Sequence, residues 1–266
     1  MDHEPTRRSV VGGGIALTLG AAVSISPAKG ASAQRKLTLA GVNLAGAEFG
    51  NVPGRFSFDY AYPPSSMIDY YAGLGFNLIR VPFRWERMQP KLGAPLASEE
   101  QARLSAVVTH ATSRGMSVIL DPHNYARRRI EDDGWKADHF IGTTAVPVTA
   151  FADFWGRLAE AYKANSRAIF GLMNEPAGIT VDAWLPAANA AVASIRKRDA
   201  SNLILVPGVA YTGAHSWMSS GNVQMRGIVD PANHFAFEVH QYLDQNSSGT
   251  TPNAVSATIG SERIRA

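Results

Sequence analysis

Six short, nearly continuous apolar runs punctuate the chain: Leu37–Asn43, Asn77–Val81 (NLIRV), Ser117–Asp121 (SVILD), Ala168–Asn174 (AIFGLMN), Leu203–Val206 (LILV) and His234–His240 (HFAFEVH). Between and after them lie segments of helical period at Ser65–Leu74, Ser98–Arg114, Thr149–Ala164, Val181–Lys197 and Ser256–Ala266, with a shorter one near Thr212–Met218. Strands that are apolar without alternation are covered on both faces, and a helix between successive strands makes the sheet parallel. Polar residues gather at the C-terminal ends of these strands, where (β/α)8 barrels carry their chemistry, so a TIM barrel fits better than an open sheet. Eight units close such a ring and six are legible. The expected fold is therefore α/β, a (β/α)8 barrel truncated after about six βα units, with the outer edges of its first and sixth strands unpaired.

Ahead of the first strand the pattern changes. Thr6-Arg7-Arg8-Ser9-Val10 precedes an apolar, Gly-rich stretch from Val11 to Ile25, and Ala31-Ser32-Ala33 offers a small-residue cleavage site. That stretch is too short and too interrupted to span a bilayer, and the arginine pair suggests twin-arginine export. The expected organisation is a signal peptide over residues 1–33 and one domain over 34–266, incomplete at its C-terminus. The destination is secreted or periplasmic, with no membrane association.

Composition changes this picture little. A chain of 266 residues, 45% of them hydrophobic, suffices for one domain with a large core. The 25 Lys and Arg stand against 22 Asp and Glu with no basic stripe, which argues against nucleic acid as a partner. Arg127-Arg128-Arg129 is the local exception and reads as a solvated loop. The absence of cysteine excludes a disulfide framework, thiolate catalysis and cysteine-bound metal.

The candidate chemistry lies at the strand ends. Arg80 ends the second run, Asp121-Pro122-His123-Asn124 the third, Asn174-Glu175-Pro176 the fourth, and His240 and Tyr242 the sixth. In a barrel these converge on one bowl, in which Glu175 is the conspicuous carboxyl group. A carboxylic acid beside an Asn in a partly dry pocket can protonate a leaving oxygen, and glycoside hydrolysis needs such an acid together with a second carboxylate. Asp121 reads as a support for the site's loops. A metal centre of His123, His240 and Asp121 is the competing arrangement. The first strand has no His-x-His, no lysine ends the fourth, and Glu175 would have no role, so neither metal nor cofactor is expected. Among the tryptophans, Trp155 and Trp184 lie on helical segments and are expected to pack. Trp85, Trp135 and Trp217 follow the second, third and fifth strands and are candidate platforms for sugar C–H faces.

Five motifs in order make this specific: GVNLAGAEFG (Gly41–Gly50), LIRVPFRWERMQP (Leu78–Pro90), ILDPHNYAR (Ile119–Arg127), FGLMNEP (Phe170–Pro176) and HQYLDQNSSGT (His240–Thr250). Together they resemble glycoside hydrolase family 5, in particular its bacterial and fungal endoglucanases, over about residues 37–266. The resemblance implies a retaining, endo-acting hydrolase of β-1,4-glucan, with cellulose-like substrates first and mannan second. It implies Glu175 as acid/base, Asn174 as donor to the sugar 2-hydroxyl, and Arg80 as the residue that keeps the nucleophile ionised. His123 and His240 match the histidines of subsite −1, and Tyr242 matches the tyrosine that bonds the nucleophile.

The family's nucleophile is a Glu ending the seventh strand, with a Trp on the eighth, and neither position exists in this sequence. Glu48, in Ala47-Glu48-Phe49-Gly50, follows the first strand and does not fit that role. Glu238 lies inside the sixth strand, two residues before His240, and reads as a supporting carboxylate. Glu262 belongs to a helix and reads as solvated. The chain is thus expected to be the larger part of a hydrolase or, as the alternative, a glycan-binding protein built on the same bowl. Its expected partner is a β-1,4-linked polysaccharide or oligosaccharide, and it is expected to act as a monomer.

Overall fold

The computed structural model describes residues 37–132 and 135–265, so the signal-peptide segment 1–33 lies outside the described residues. Strands β1 (Gly41–Asn43), β2 (Leu78–Phe83) and β3 (Ser117–Pro122) come first. A hairpin follows, β4 (Arg127–Asp132) and β5 (Trp135–Phe140), and then β6 (Ala168–Gly171), β7 (Ile204–Pro207) and β8 (Phe235–Glu238). The helices are α1 (Ser65–Gly73), α2 (Trp85–Met88), α3 (Ser98–Ser113), α4 (Val148–Tyr162), α5 (Val181–Arg196) and α6 (Ile259–Arg265).

Apart from the antiparallel hairpin, the strands form one parallel sheet in the order β1-β2-β3-β6-β7-β8. Each strand pairs with its predecessor along the chain, as βα units do when they wind around a barrel. Apolar residues face each other in the register: Ile79 lies opposite Val118, Val118 opposite Ala168, and Phe170 opposite Ile204. Six of the eight βα units of a (β/α)8 barrel are present, and β1 and β8 stand at the two edges of the sheet.

The core lies between the sheet and its helices. The α4 helix buries Phe151, Phe154, Trp155 and Leu158, and α5 buries Trp184, Ala187, Ala188, Ala191, Val192 and Ile195. Small alanines on α5 let it approach α4 closely. Both indoles are fully buried and spend their N–H groups on strand-end carbonyls, Trp155 on Leu172 O at 3.0 Å and Trp184 on Pro207 O at 2.8 Å. A buried indole so paired leaves no unsatisfied donor.

Three expectations need correction. Arg127-Arg128-Arg129 is no solvated loop but the start of β4, and Arg128 is only 2% exposed. Its guanidinium stands over the Trp85 ring at 4.7 Å and donates to the carbonyls of Gln89 and Pro90. The buried charge occupies the position where a strand normally shows an apolar residue, which hid the period. Trp85, in turn, is not at a rim. It opens α2, is wholly buried between Phe151 and Phe154, and donates Nε1–H to Gln89 Oε1. The side chain of Trp135 lies outside the described residues. Finally, the segment near Thr212–Met218 makes short 3-10 turns in place of a helix. Ala210, Tyr211 and Thr212 all take left-handed φ angles of 54°, 60° and 50°, which no right-handed helix accommodates.

Replacing Trp155 by Ala should destabilise the domain by about 3–5 kcal/mol in urea unfolding. Met218→Ala, at a residue 64% exposed, should cost less than about 0.5 kcal/mol. Equal effects would contradict this placement of the core.

Candidate active site

Arg80, in β2, holds the strand ends together. Its Nη1 donates to Asn43 Oδ1 at the end of β1 (3.2 Å), and its Nη2 donates to Asn174 Oδ1 just beyond β6 (2.6 Å). The same Nη2 lies 2.9 Å from Asp121 Oδ2 in β3, and Nε lies 3.9 Å from Glu238 Oε1 in β8. Asp121 is almost wholly buried and also binds His123 Nδ1 at 2.9 Å, whose Nε2 meets the Tyr125 hydroxyl at 3.2 Å. This chain of contacts orients the imidazole of His123 from both nitrogens.

Glu175 follows Asn174 on a left-handed backbone, φ 43°. Its side chain is 12% exposed, and Oε1 lies 2.6 Å from His240 Nδ1. The other ring nitrogen of His240 lies 2.9 Å from Glu238 Oε1, so the imidazole spans two carboxylates. Burial alone would lower the His240 pKa, but hydrogen bonds to Glu175 and Glu238 outweigh it and raise the value to about 9. Gly171 in β6 lies tight against β3, where a Cβ would stand 3.1 Å from Ile119 Cγ2 and 3.3 Å from Leu120 O.

A cleft of about 740 Å³ opens beside this cluster, lined among others by Tyr125, Glu175, Tyr211, His215, His240 and Tyr242. Its loops are strained and tied to each other. Tyr125 and Ala126 join Glu175 and residues 210–212 in the left-handed region, a conformation held only when the surroundings over-determine it. Tyr125 N donates to Asn174 O, Tyr211 N to Pro176 O, Ala214 N to His240 O and His240 N to Thr212 O. Burial, and then the charge of Glu175, raises the pKa of the Tyr125 hydroxyl.

Of the residues expected at this site, Arg80 touches Asn174 and Glu175 touches His240, while Asp121 links His123 to Arg80 and Glu238 links His240 to it. Tyr242 lies on the cleft wall, 48% exposed. Trp217 does not join them. It packs edge-on against Phe237 at 5.7 Å, and side chains alternate along β8, so Phe237 faces away from Glu238 and the cleft. The expectation of a sugar platform at Trp217 is corrected accordingly. Glu48 is tied down elsewhere, accepting from Gly46 N at 2.7 Å. Tyr125, Tyr211 and Asn43 were not expected at the site. Tyr125 was legible in DPHNYAR, whereas Tyr211 enters only because three consecutive left-handed residues turn the loop after β7 back toward β6.

Residues 36–266 match the family model for cellulase (glycosyl hydrolase family 5). The chain belongs to glycosyl hydrolase family 5. Among curated members, it is 38% identical over 226 residues to the probable endo-β-1,4-glucanase B of Aspergillus niger, covering 84% of this chain. It spans 64% of that relative's length. Among solved structures, the endo-β-1,4-glucanase Xac0029 of Xanthomonas axonopodis pv. citri is 47% identical with a TM-score of 0.80, over 86% of this chain and 72% of the other. XacCel5A, solved in complex with cellopentaose, is 45% identical with a TM-score of 0.80, over 86% and 73% of the two chains.

In this family 5 chain the His240 proton is bound more tightly in the folded state than its unfolded value near 6.5 allows. The stability it contributes is fully present below about pH 6.5 and is lost as the pH rises through about 9. Nitrogen-15 NMR of the imidazole should show titration near pH 9, and a His240→Gln variant should lose this part of the alkaline destabilisation. A midpoint near 6.5 would contradict the bridged geometry.

Proposed function

We propose that this chain carries the acid/base half of a retaining, endo-acting hydrolase of β-1,4-glucan, with Glu175 as its acid/base. The observation that carries the reading is the setting of Glu175. It sits on a left-handed backbone at a strand end, holds His240 at 2.6 Å and faces an open cleft. Beside it, Asn174 keeps a buried Nδ2 that has no partner among the described residues. A buried amide donor left unpaired is costly, and the family resemblance gives Asn174 the sugar 2-hydroxyl as its partner. The Aspergillus niger and Xac0029 relatives bear the names probable endo-β-1,4-glucanase B and endo-β-1,4-glucanase, and the XacCel5A complex with cellopentaose supports an oligosaccharide of β-1,4-linked glucose as ligand.

In this mechanism Glu175 gives its proton to the leaving glycosidic oxygen and takes one back from the attacking water. His240, charged between Glu175 and Glu238, holds the acid in place. The step also needs a carboxylate that attacks the anomeric carbon. Glu238 is engaged by His240 and lies near Arg80, which suits it to support. We assign the nucleophile to the seventh strand of the whole protein, as the family resemblance implies, with Arg80 and Tyr242 facing it and His123 at the same sugar. Export by a signal peptide over residues 1–33, action as a monomer, and independence of nucleic acid and membranes complete the proposal.

In the whole protein, Glu175→Gln should lower turnover of unactivated cellulose-type glucan by about 10³-fold while cellopentaose affinity changes only a few-fold. Near-normal turnover would sink the assignment. Higher activity on mannan than on glucan would move the substrate to the second member of the pair. Saturable cello-oligosaccharide binding by an unmutated protein with no hydrolysis would favour a glycan-binding role.

A further inference from the structure

A second, smaller cavity of about 130 Å³ lies beside the cleft, and Tyr125 and Tyr211 line both. Its remaining walls are Arg84, Glu86, Asn124, Arg127, Arg129, Asp138 and Ala177. Three guanidinium groups therefore face two carboxylates, and both carboxylates are already engaged. Asp138 takes the fork of Arg129 at 2.9 and 3.2 Å, and that contact lowers its pKa, so the pair is neutral as a unit. Glu86 accepts from Asn124 Nδ2 at 2.8 Å and from the Arg129 amide at 2.7 Å, leaving Arg84 Nε at 3.5 Å.

Among the described residues, Arg127 is the guanidinium of this cavity without a counter-charge. Its guanidinium lies over the Phe140 ring at 4.6 Å, and its polar contact is Nη2 to the Ala177 carbonyl at 3.5 Å, the long end of hydrogen bonding. No described carboxylate pairs with it. The buried Nε atoms of Arg127 and Arg84 have no hydrogen-bond partner among the described residues. Those Nε atoms are closed off, but Arg127 lines the cavity, and among the described residues its Nη1 is neither bonded nor buried. A guanidinium fixed in plane by stacking thus offers a carboxylate a charge-assisted donor there. The cavity volume equals that of about four waters, which suits a small acidic group and not a second sugar chain.

We propose that this cavity is a substituent subsite. It takes a carboxylate carried as a side group on a β-1,4-glycan lying in the adjacent cleft, with Arg127 as its principal partner and Arg84 beside it. The proposal rests on the reading of the cleft as a β-1,4-glycan site. It extends that reading from the neutral backbone to acidic decorated chains, which the enzyme would prefer over plain ones.

The test is calorimetric binding of the full chain to neutral cellopentaose and to cellopentaose bearing one carboxymethyl group. At low salt the acidic ligand should bind about tenfold tighter, the effect of one good charge-assisted contact. That ratio should collapse toward one in Arg127→Met, which keeps an apolar stem on Phe140, and largely return in Arg127→Lys. Raising the salt to about 0.3 M should also shrink the ratio for the unmutated chain, and this decides the matter if the methionine variant does not fold. Equal affinities for the two ligands, or a preference untouched by Arg127→Met, would overturn the substituent subsite while leaving the cleft reading intact. Binding of neither ligand would overturn both. Acetate bound as tightly as the decorated oligosaccharide would make this a free-anion site and overturn the proposal.

Discussion

One guanidinium collects the ends of five strands. Arg80 is 15% exposed, so its charge is largely removed from water, and such a cation is tolerated only where partners stand around it. Asn43, Asp121, Asn174 and Glu238 supply them from β1, β3, the end of β6 and β8. The partners are useful only if the strands stop in register. The parallel pairing sets Asn43 beside Arg80 and Ile119 beside Arg80 from the other side, which brings the next inward residue, Asp121, to the guanidinium. Because Asn174 is held there, its neighbour Glu175 is held too, and the position of the candidate acid follows from that of a residue it does not touch.

The strain at the site has an identifiable support. Left-handed residues at Tyr125, Glu175 and 210–212 each cost on the order of 1–3 kcal/mol. Directly beneath them, Trp155 and Trp184 anchor the carbonyls of Leu172 and Pro207, where β6 and β7 leave the sheet. Buried aromatic surface from α4 and α5 thus stabilises the last regular residues before the irregular ones begin. The loops then brace each other through main-chain hydrogen bonds, so the cleft is lined by backbone with little freedom to relax. Charge is managed in the same way: acidic and basic groups alternate from Asp121 through Arg80, Glu238 and His240 to Glu175, each offsetting the desolvation of the next.

Much of this was legible in the sequence, for reasons that differ from residue to residue. Each of the six parallel strands coincides with an apolar run. In β2, β3, β6 and β7 the run reflects burial on both faces of the sheet, whereas β1 and β8 keep it although they stand largely exposed at the sheet edges. Strand ends also announced themselves, since a polar residue directly after such a run has only the barrel mouth to occupy, and Arg80, His123, Asn174, Glu175 and His240 all meet there. What was not legible depends on contacts far apart in sequence. The β4–β5 hairpin was hidden because its buried position is filled by Arg128, which is recognisable as buried only once the Trp85 ring and the Gln89 carbonyl are seen around it. The same fold drew Trp85 into the core and turned Trp217 onto Phe237, although both follow strand ends as a rim residue would.

The sequence by itself therefore determined the order of the six parallel strands and of the long helices between them, the side of the sheet on which polar groups collect, and the motifs that mark family 5. These follow from local periodicity and from residue types at fixed offsets, which need no knowledge of neighbours. Only the tertiary structure decided which carboxylates His240 spans, which arginine is left without a counter-charge, and which aromatic rings face the cleft. Each of those depends on distances that the fold sets, such as His240 to Glu175 across 65 positions. Burial and hydrogen-bond partners at such distances are set by packing, and one-dimensional patterns do not encode them separately.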